Sequence, residues 1–148
     1  MNRFVVAFLA AVAIGAAASS AVAEQHEKPN LVSILTAADP QTQLMALTLS
    51  LQSLQQGAKV RVLLCGPAGD LALKEPPAPA TAPQKPANMS PRGVLQKMVE
   101  AGAPVDVCAI YLPNKALGTD ALMPGVGQAR PDAIAGHLIA ANTRILSF

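Results

Sequence analysis

The chain has 148 residues, a formal net charge of +2, 51% hydrophobic and 14% charged residues, one Tyr, three Phe and no Trp. A near-neutral balance with scattered Lys and Arg argues against a nucleic-acid partner, and so few rings argue against base-stacking platforms or an aromatic ligand cage. Aliphatic side chains therefore have to build the core.

Arg3 is the only charge before an apolar run from Phe4 to Ala18, which is too short to span a bilayer comfortably. Small residues follow, and Ala21, Val22 and Ala23 fit the A-x-A pattern of a peptidase site, so residues 1–23 are expected to be a cleaved signal peptide. Cleavage there leaves Glu24 first and takes the formal charge from +2 to +1 by removing Arg3. The expected location is periplasmic or secreted, with no membrane attachment after cleavage. Residues 24–148 suffice for one domain and are short for two.

Leu31 to Leu35 is an apolar run of strand length. Asp39 and Pro40 then form a helix start, a carboxylate cap followed by a proline at the first helical position. Leu44, Leu47, Leu51 and Leu54 fall at helical spacing opposite Gln41, Gln52 and Gln55, which predicts a helix to about residue 56 with Gly57 as its stop. Val60 to Cys65 reads as a second strand, apolar on both faces as in the centre of a parallel sheet, and Gly66 to Gly69 as a turn. Between Glu75 and Pro91 there are six prolines, which predicts a solvated, mobile loop.

Ser90 and Pro91 repeat the capping signal, and Val94, Leu95, Met98 and Val99 predict an amphipathic helix ending near Gly102. Val105 to Leu112 reads as a third strand, broken by Pro113, Asn114 and Lys115. A short fourth strand is expected within Met123–Gln128, a helix carrying Ile134, Leu138 and Ile139 after Pro131, and a last strand over Arg144–Phe148. Strands alternating with helices imply a three-layer α/β/α fold with a mostly parallel sheet of about five strands.

Ligands of such sheets bind at the carboxyl ends of the strands. Cys65 ends the second strand and Cys108 lies late in the third, so both direct attention to one edge. Other chemistries have weaker signals. His26 and His137 have no metal-ligand spacing, Asp39 and Asp70 read as a helix cap and a loop solvator, and no phosphate-loop or triad pattern is present. No metal or cofactor is expected.

The opening strand Leu31–Thr36, the Gln- and Leu-rich helix ending at Gly57, the Cys65-Gly66-Pro67 passage and AGAPVDVCAIY over residues 101–111 resemble the DsrE/DsrF-like sulfur-relay family, with its YchN-like and TusD-like branches. The resemblance covers nearly all of residues 24–148. It implies that Cys108 is a sulfur-carrying nucleophile, a persulfide carrier, with Lys115 or a following helix N-terminus as candidates to favour its thiolate. It also implies a homo-oligomer, trimer or hexamer, and a sulfur donor or acceptor protein as partner. The family topology would set the strand ending in Cys65 beside that containing Cys108, making Cys65 a candidate resolving thiol if both side chains emerge at one level and a core residue if they do not. Two functions are weighed: an exported protein handling sulfane sulfur or a thiol redox signal through Cys108, and a non-catalytic oligomeric binding module of the same fold.

Overall fold

The computed structural model describes residues 28–148; the expected signal peptide and His26 lie outside the described residues. Strand β1 (Asn30–Leu35) leads through Asp39 into helix α1 (Pro40–Gln55), and β2 (Lys59–Leu64) follows. Asp39 caps α1 as expected, its carboxylate accepting from the Thr42 amide at 2.8 Å. A 3-10 helix (Gly66–Ala72), short helix α2 (Ala78–Thr81) and α3 (Pro91–Glu100) come next, with Ser90 capping α3 through the Gly93 amide at 3.1 Å. Strand β3 (Val105–Val107), helix α4 (Tyr111–Asn114), a 3-10 turn (Thr119–Ala121), β4 (Val126–Gln128), α5 (Pro131–Ile139) and β5 (Thr143–Ser147) complete the chain.

The five strands lie in the order β4-β3-β2-β1-β5, and every pairing is parallel. Alternate strand residues face opposite layers. Leu31, Leu35, Val60, Val62, Leu64, Val105 and Val107 join Leu47, Leu95 and Met98 in the main core, under α1 and α3. Ile34 and Leu63 face the other way, with Ala129 and the α5 residues Ile134 and Leu138. This is the expected three-layer α/β/α fold, one face thickly covered and the other carrying a single helix.

The structure departs from the sequence reading in four places. Strand β3 stops at Val107, because β2 offers partners only from Val62 to Leu64 and β4 only three. The apolar residues Tyr111 and Leu112 are buried from a helix instead, a choice that periodicity in a short apolar run does not decide. Pro113 lies within that helix rather than breaking a strand. The Pro-rich segment 75–91 is solvent-exposed along most of its length, as expected, but it is not plain loop: it holds α2, whose Ala80 is buried, and a backbone bridge between Gln84 and Met89. The turn at 66–69 is the start of a 3-10 helix. On α5, Ile139 is 86% exposed, and the helix buries Ile134 alone.

Four buried polar side chains escaped the hydrophobic pattern; the Ser33 hydroxyl has no hydrogen-bond partner among the described residues, and a backbone carbonyl satisfies each of the other three. Gln43 donates to the Ala37 carbonyl at 2.8 Å, Ser50 to that of Ala46 at 2.8 Å, and the Arg92 guanidinium to that of Leu71. Burial alone pulls the Arg92 pKa below the ordinary arginine value. This contact ties α3 to the 3-10 helix that leaves β2.

Leu64 is fully buried at the end of β2, directly beneath the turn into that helix. Leu64→Ala is expected to lower unfolding free energy by about 2–5 kcal/mol in urea titrations, the usual range for a buried leucine. A loss well under ~1 kcal/mol would mean that the core end of β2 is looser than its burial indicates.

Candidate functional site

The carboxyl ends of β2 and β3 are neighbours because Val62, Leu63 and Leu64 pair with Val105, Asp106 and Val107. Cys65 and Cys108 each follow the last pair of that register. They leave the ladder side by side, as the Cys108 amide donating to the Leu64 carbonyl at 2.8 Å shows. Their Cα atoms are 5.0 Å apart and their sulfurs are joined in a disulfide closing 43 residues of chain. That separation matches the spacing of adjacent strands and falls in the range a disulfide accepts. In the chain-entropy account, a loop of this length removes about 4 kcal/mol from the unfolded state, a large share of a small domain's stability.

Each cysteine is half-buried, and each starts a helical turn. The Cys65 carbonyl accepts from the Ala68 amide at 3.2 Å and that of Cys108 from the Tyr111 amide at 2.9 Å. The first amide of α4 is therefore directed at a carbonyl and not at sulfur. The Gln128 side chain, at the end of β4, donates to the Ala109 carbonyl at 2.7 Å and holds the intervening loop against the sheet.

Above the bridge opens a pocket of about 410 Å³, lined by Cys65, Pro67, Asp70, Cys108, Ile110, Tyr111, Asn114 and Lys115. Asp70, read from sequence as a loop solvator, is the polar centre of this wall. Its carboxylate oxygen accepts from the Tyr111 hydroxyl at 2.6 Å and from Lys115 Nζ at 2.5 Å. Lys115 also lies 5.6 Å from the Tyr111 ring centroid, within cation–π range. The ring of Tyr111 packs on Gly69, where a Cβ would overlap it, so glycine is required at that position for close approach.

Burial, reinforced by the hydrogen bond and the negative charge of Asp70, pushes the Tyr111 hydroxyl pKa well above the ordinary tyrosine value. The phenol stays protonated and remains a donor. Lys115, expected near Cys108 as a thiolate stabiliser, lines the same pocket but spends its charge on Asp70. With both partners partly exposed, the pair adds about 1 kcal/mol or less to stability, so its effect is chiefly one of position.

His137 is an exposed residue of α5, remote from this pocket's lining, and Asp39 is a helix cap. Among the described residues no group of three or more His, Cys, Asp or Glu is arranged to hold a metal ion, and no helix is long and apolar enough to cross a membrane. Sequence reasoning missed Asp70, Tyr111 and Ile110. The available signal was the chain's single tyrosine, three residues after a cysteine.

A parallel five-stranded sheet in this order, layered by helices, defines a DsrE/YchN-like fold. The crystal structure of the ychN protein from E. coli is similar, with a TM-score of 0.63 and 18% identity over 81% of this chain and 99% of that one. A second similar structure is that of MTH1491, a protein of unknown function from Methanobacterium thermoautotrophicum, with a TM-score of 0.55 and 11% identity over 82% of this chain and 100% of that one. No protein-family model matches the sequence, and no curated protein matches it. At these identities the likeness is one of fold.

With one Tyr in the chain, the phenolate absorption band that appears on ionisation reports Tyr111 alone. A folded pKa raised above the unfolded value gives stability that is complete below about pH 10 and is lost as pH rises. Native protein is therefore expected to keep a phenol spectrum through pH 10 and to form phenolate only at more alkaline pH or on unfolding. A reversible native titration centred near pH 10 would contradict the Asp70 contact.

Proposed function

We propose that this chain is an exported thiol protein that handles sulfane sulfur or a thiol redox signal at the Cys65–Cys108 pair, with Cys108 as the sulfur-carrying nucleophile and Cys65 as the resolving thiol. The observation that carries the reading is the disulfide at the carboxyl ends of two central strands, opening on a pocket. The DsrE/YchN-like fold supports it, since the strand ends are where such sheets place ligands. Export is supported by the signal-like residues 1–23 and by a bridge of a kind that persists in oxidising compartments.

Working chemistry starts from the reduced pair. The Cys108 thiolate attacks the outer sulfur of a persulfide R–S–SH; the donor's S–S bond breaks, R–S⁻ leaves with the electron pair, and Cys108 becomes Cys–S–SH. An acceptor thiolate can then take the outer sulfur. Alternatively, the Cys65 thiolate attacks the inner sulfur on Cys108, HS⁻ leaves, and the bridge forms. The second route reduces sulfane sulfur to hydrosulfide by two electrons, and an external dithiol resets the pair by becoming a disulfide itself.

Lys115 and the apolar wall of Pro67, Ile110 and Tyr111 receive the donor in this reading. Ile110 is 70% exposed at the pocket mouth, which favours a donor or acceptor protein over a strongly hydrated small thiol. A homo-oligomer, trimer or hexamer, belongs to the same proposal. The outer face of α1 supports it: this helix has no charged residue and leaves Met45 55% and Leu49 42% exposed.

Intact-mass analysis of reduced protein treated with an organic persulfide is the direct test. Wild type is expected to release hydrosulfide and return to the bridged mass. Cys65→Ser is expected to accumulate one added sulfur, and Cys108→Ser to gain none. Equal sulfur uptake by Cys108→Ser would move the carrier role away from Cys108. No uptake by any form would leave a binding module instead. Light scattering at micromolar concentration is expected to give a multiple of the protomer mass, and a monomer mass would overturn the oligomer.

A further inference from the structure

We infer that Asp70 is a positioning residue for the cysteine couple: by tying the two strand-end turns together, it keeps the thiols aligned when the bridge is open and so favours its reclosure. This rests on the reading of Cys65 and Cys108 as a working couple.

Both cysteines are held from the N-terminal side by the sheet. The Cys65 amide donates to the Leu35 carbonyl at 2.9 Å, and that of Cys108 to the Leu64 carbonyl at 2.8 Å. On the C-terminal side the chain leaves the ladder at once, into the 3-10 helix after Cys65 and into α4 after Cys108. Without the disulfide, the side-chain link between these two turns is the one Asp70 makes. Its carboxylate on the first turn accepts from Tyr111 and Lys115 on the second, and the Tyr111 ring seats on Gly69 beside it. The pair of turns is thus closed by the ladder at one end and by Asp70 at the other, with the sulfurs between.

Such closure acts on the redox equilibrium rather than mainly on global stability. When an external dithiol opens the bridge, two electrons and two protons convert it to two thiols and the dithiol becomes a disulfide. The reverse reaction depends on the effective concentration of one thiol at the other, which any freedom of the turns dilutes. Freeing Lys115 from Asp70 acts in the same direction, because an unpaired ammonium in the pocket favours a thiolate and thus the reduced form.

The experiment equilibrates wild type, Asp70→Asn, Tyr111→Phe and Asp106→Asn in graded dithiothreitol redox buffers, with the reduced fraction read by alkylation and intact mass. Asp106 is the control carboxylate. It pairs with Arg61 at 2.5 Å within the sheet and does not line the pocket. Asp70→Asn and Tyr111→Phe are each expected to weaken bridge formation tenfold or more, a shift of about 30 mV to less negative potential for a two-electron couple. Asp106→Asn is expected to keep the wild-type value. A folded Asp70→Asn protein at the wild-type potential overturns the inference, as does an equal shift in Asp106→Asn. Should Asp70→Asn fail to fold, Tyr111→Phe decides alone, because it keeps the ring and removes only the hydroxyl. No sulfur donor enters this measurement. An Asp70-dependent potential in a protein that takes up no sulfane sulfur therefore refutes the sulfur reading and leaves the positioning role standing.

Discussion

The parallel register between β2 and β3 is the constraint on which the candidate site depends. By pairing Leu64 with Val107, it brings the next residue of each strand to the same level and face. A slip of one residue would turn one cysteine toward the opposite layer and remove the bridge, because side chains alternate across a strand. The register is secured by burial: Val62, Leu64, Val105 and Val107 all point into the core under α1 and α3. The hydrophobic effect acting on four aliphatic side chains thus places two sulfurs that contribute little to it.

Around this placement the rest of the strand-end edge is arranged as a set of ties. Gln128 holds the loop after Cys108, the Arg92 guanidinium holds the 3-10 helix after Cys65, and Asp70 links the two. Each tie is a modest interaction, on the order of 1 kcal/mol. Their joint consequence is geometric. They limit how the two turns can move, and a thiol couple is sensitive to small changes in the relative position of its sulfurs.

The two faces of the sheet differ in their covering. The α1 and α3 side carries most of the buried aliphatic residues, whereas the α5 side is covered by a single helix that leaves Ile139 outside. Both cysteines pack on the thinner side, against the cluster of Leu63, Ala129 and Ile134, and Cys108 also borders the main core. Each remains half-buried there. The thickly covered face thus fixes the strand register, and the thinly covered one leaves the bridge half-buried.

Local physics was legible before any tertiary contact was known. Asp39 with Pro40 and Ser90 with Pro91 announced two helix starts through capping groups that act within three residues, and apolar runs marked β1, β2 and β5. Alternation of strand and helix was enough for a parallel three-layer sheet, since short-range connectivity leaves few other ways to bury those faces. What only the tertiary structure decided was non-local. Strand β3 ended at Val107 because its neighbours offered no further partners, the Pro-rich segment gained α2 where Ala80 found cover, and Asp70 became part of the site because Tyr111 and Lys115, more than 40 residues away, folded onto it. Side-chain type sets what a residue can bond to. Which partner it meets depends on the register and layering of the whole chain.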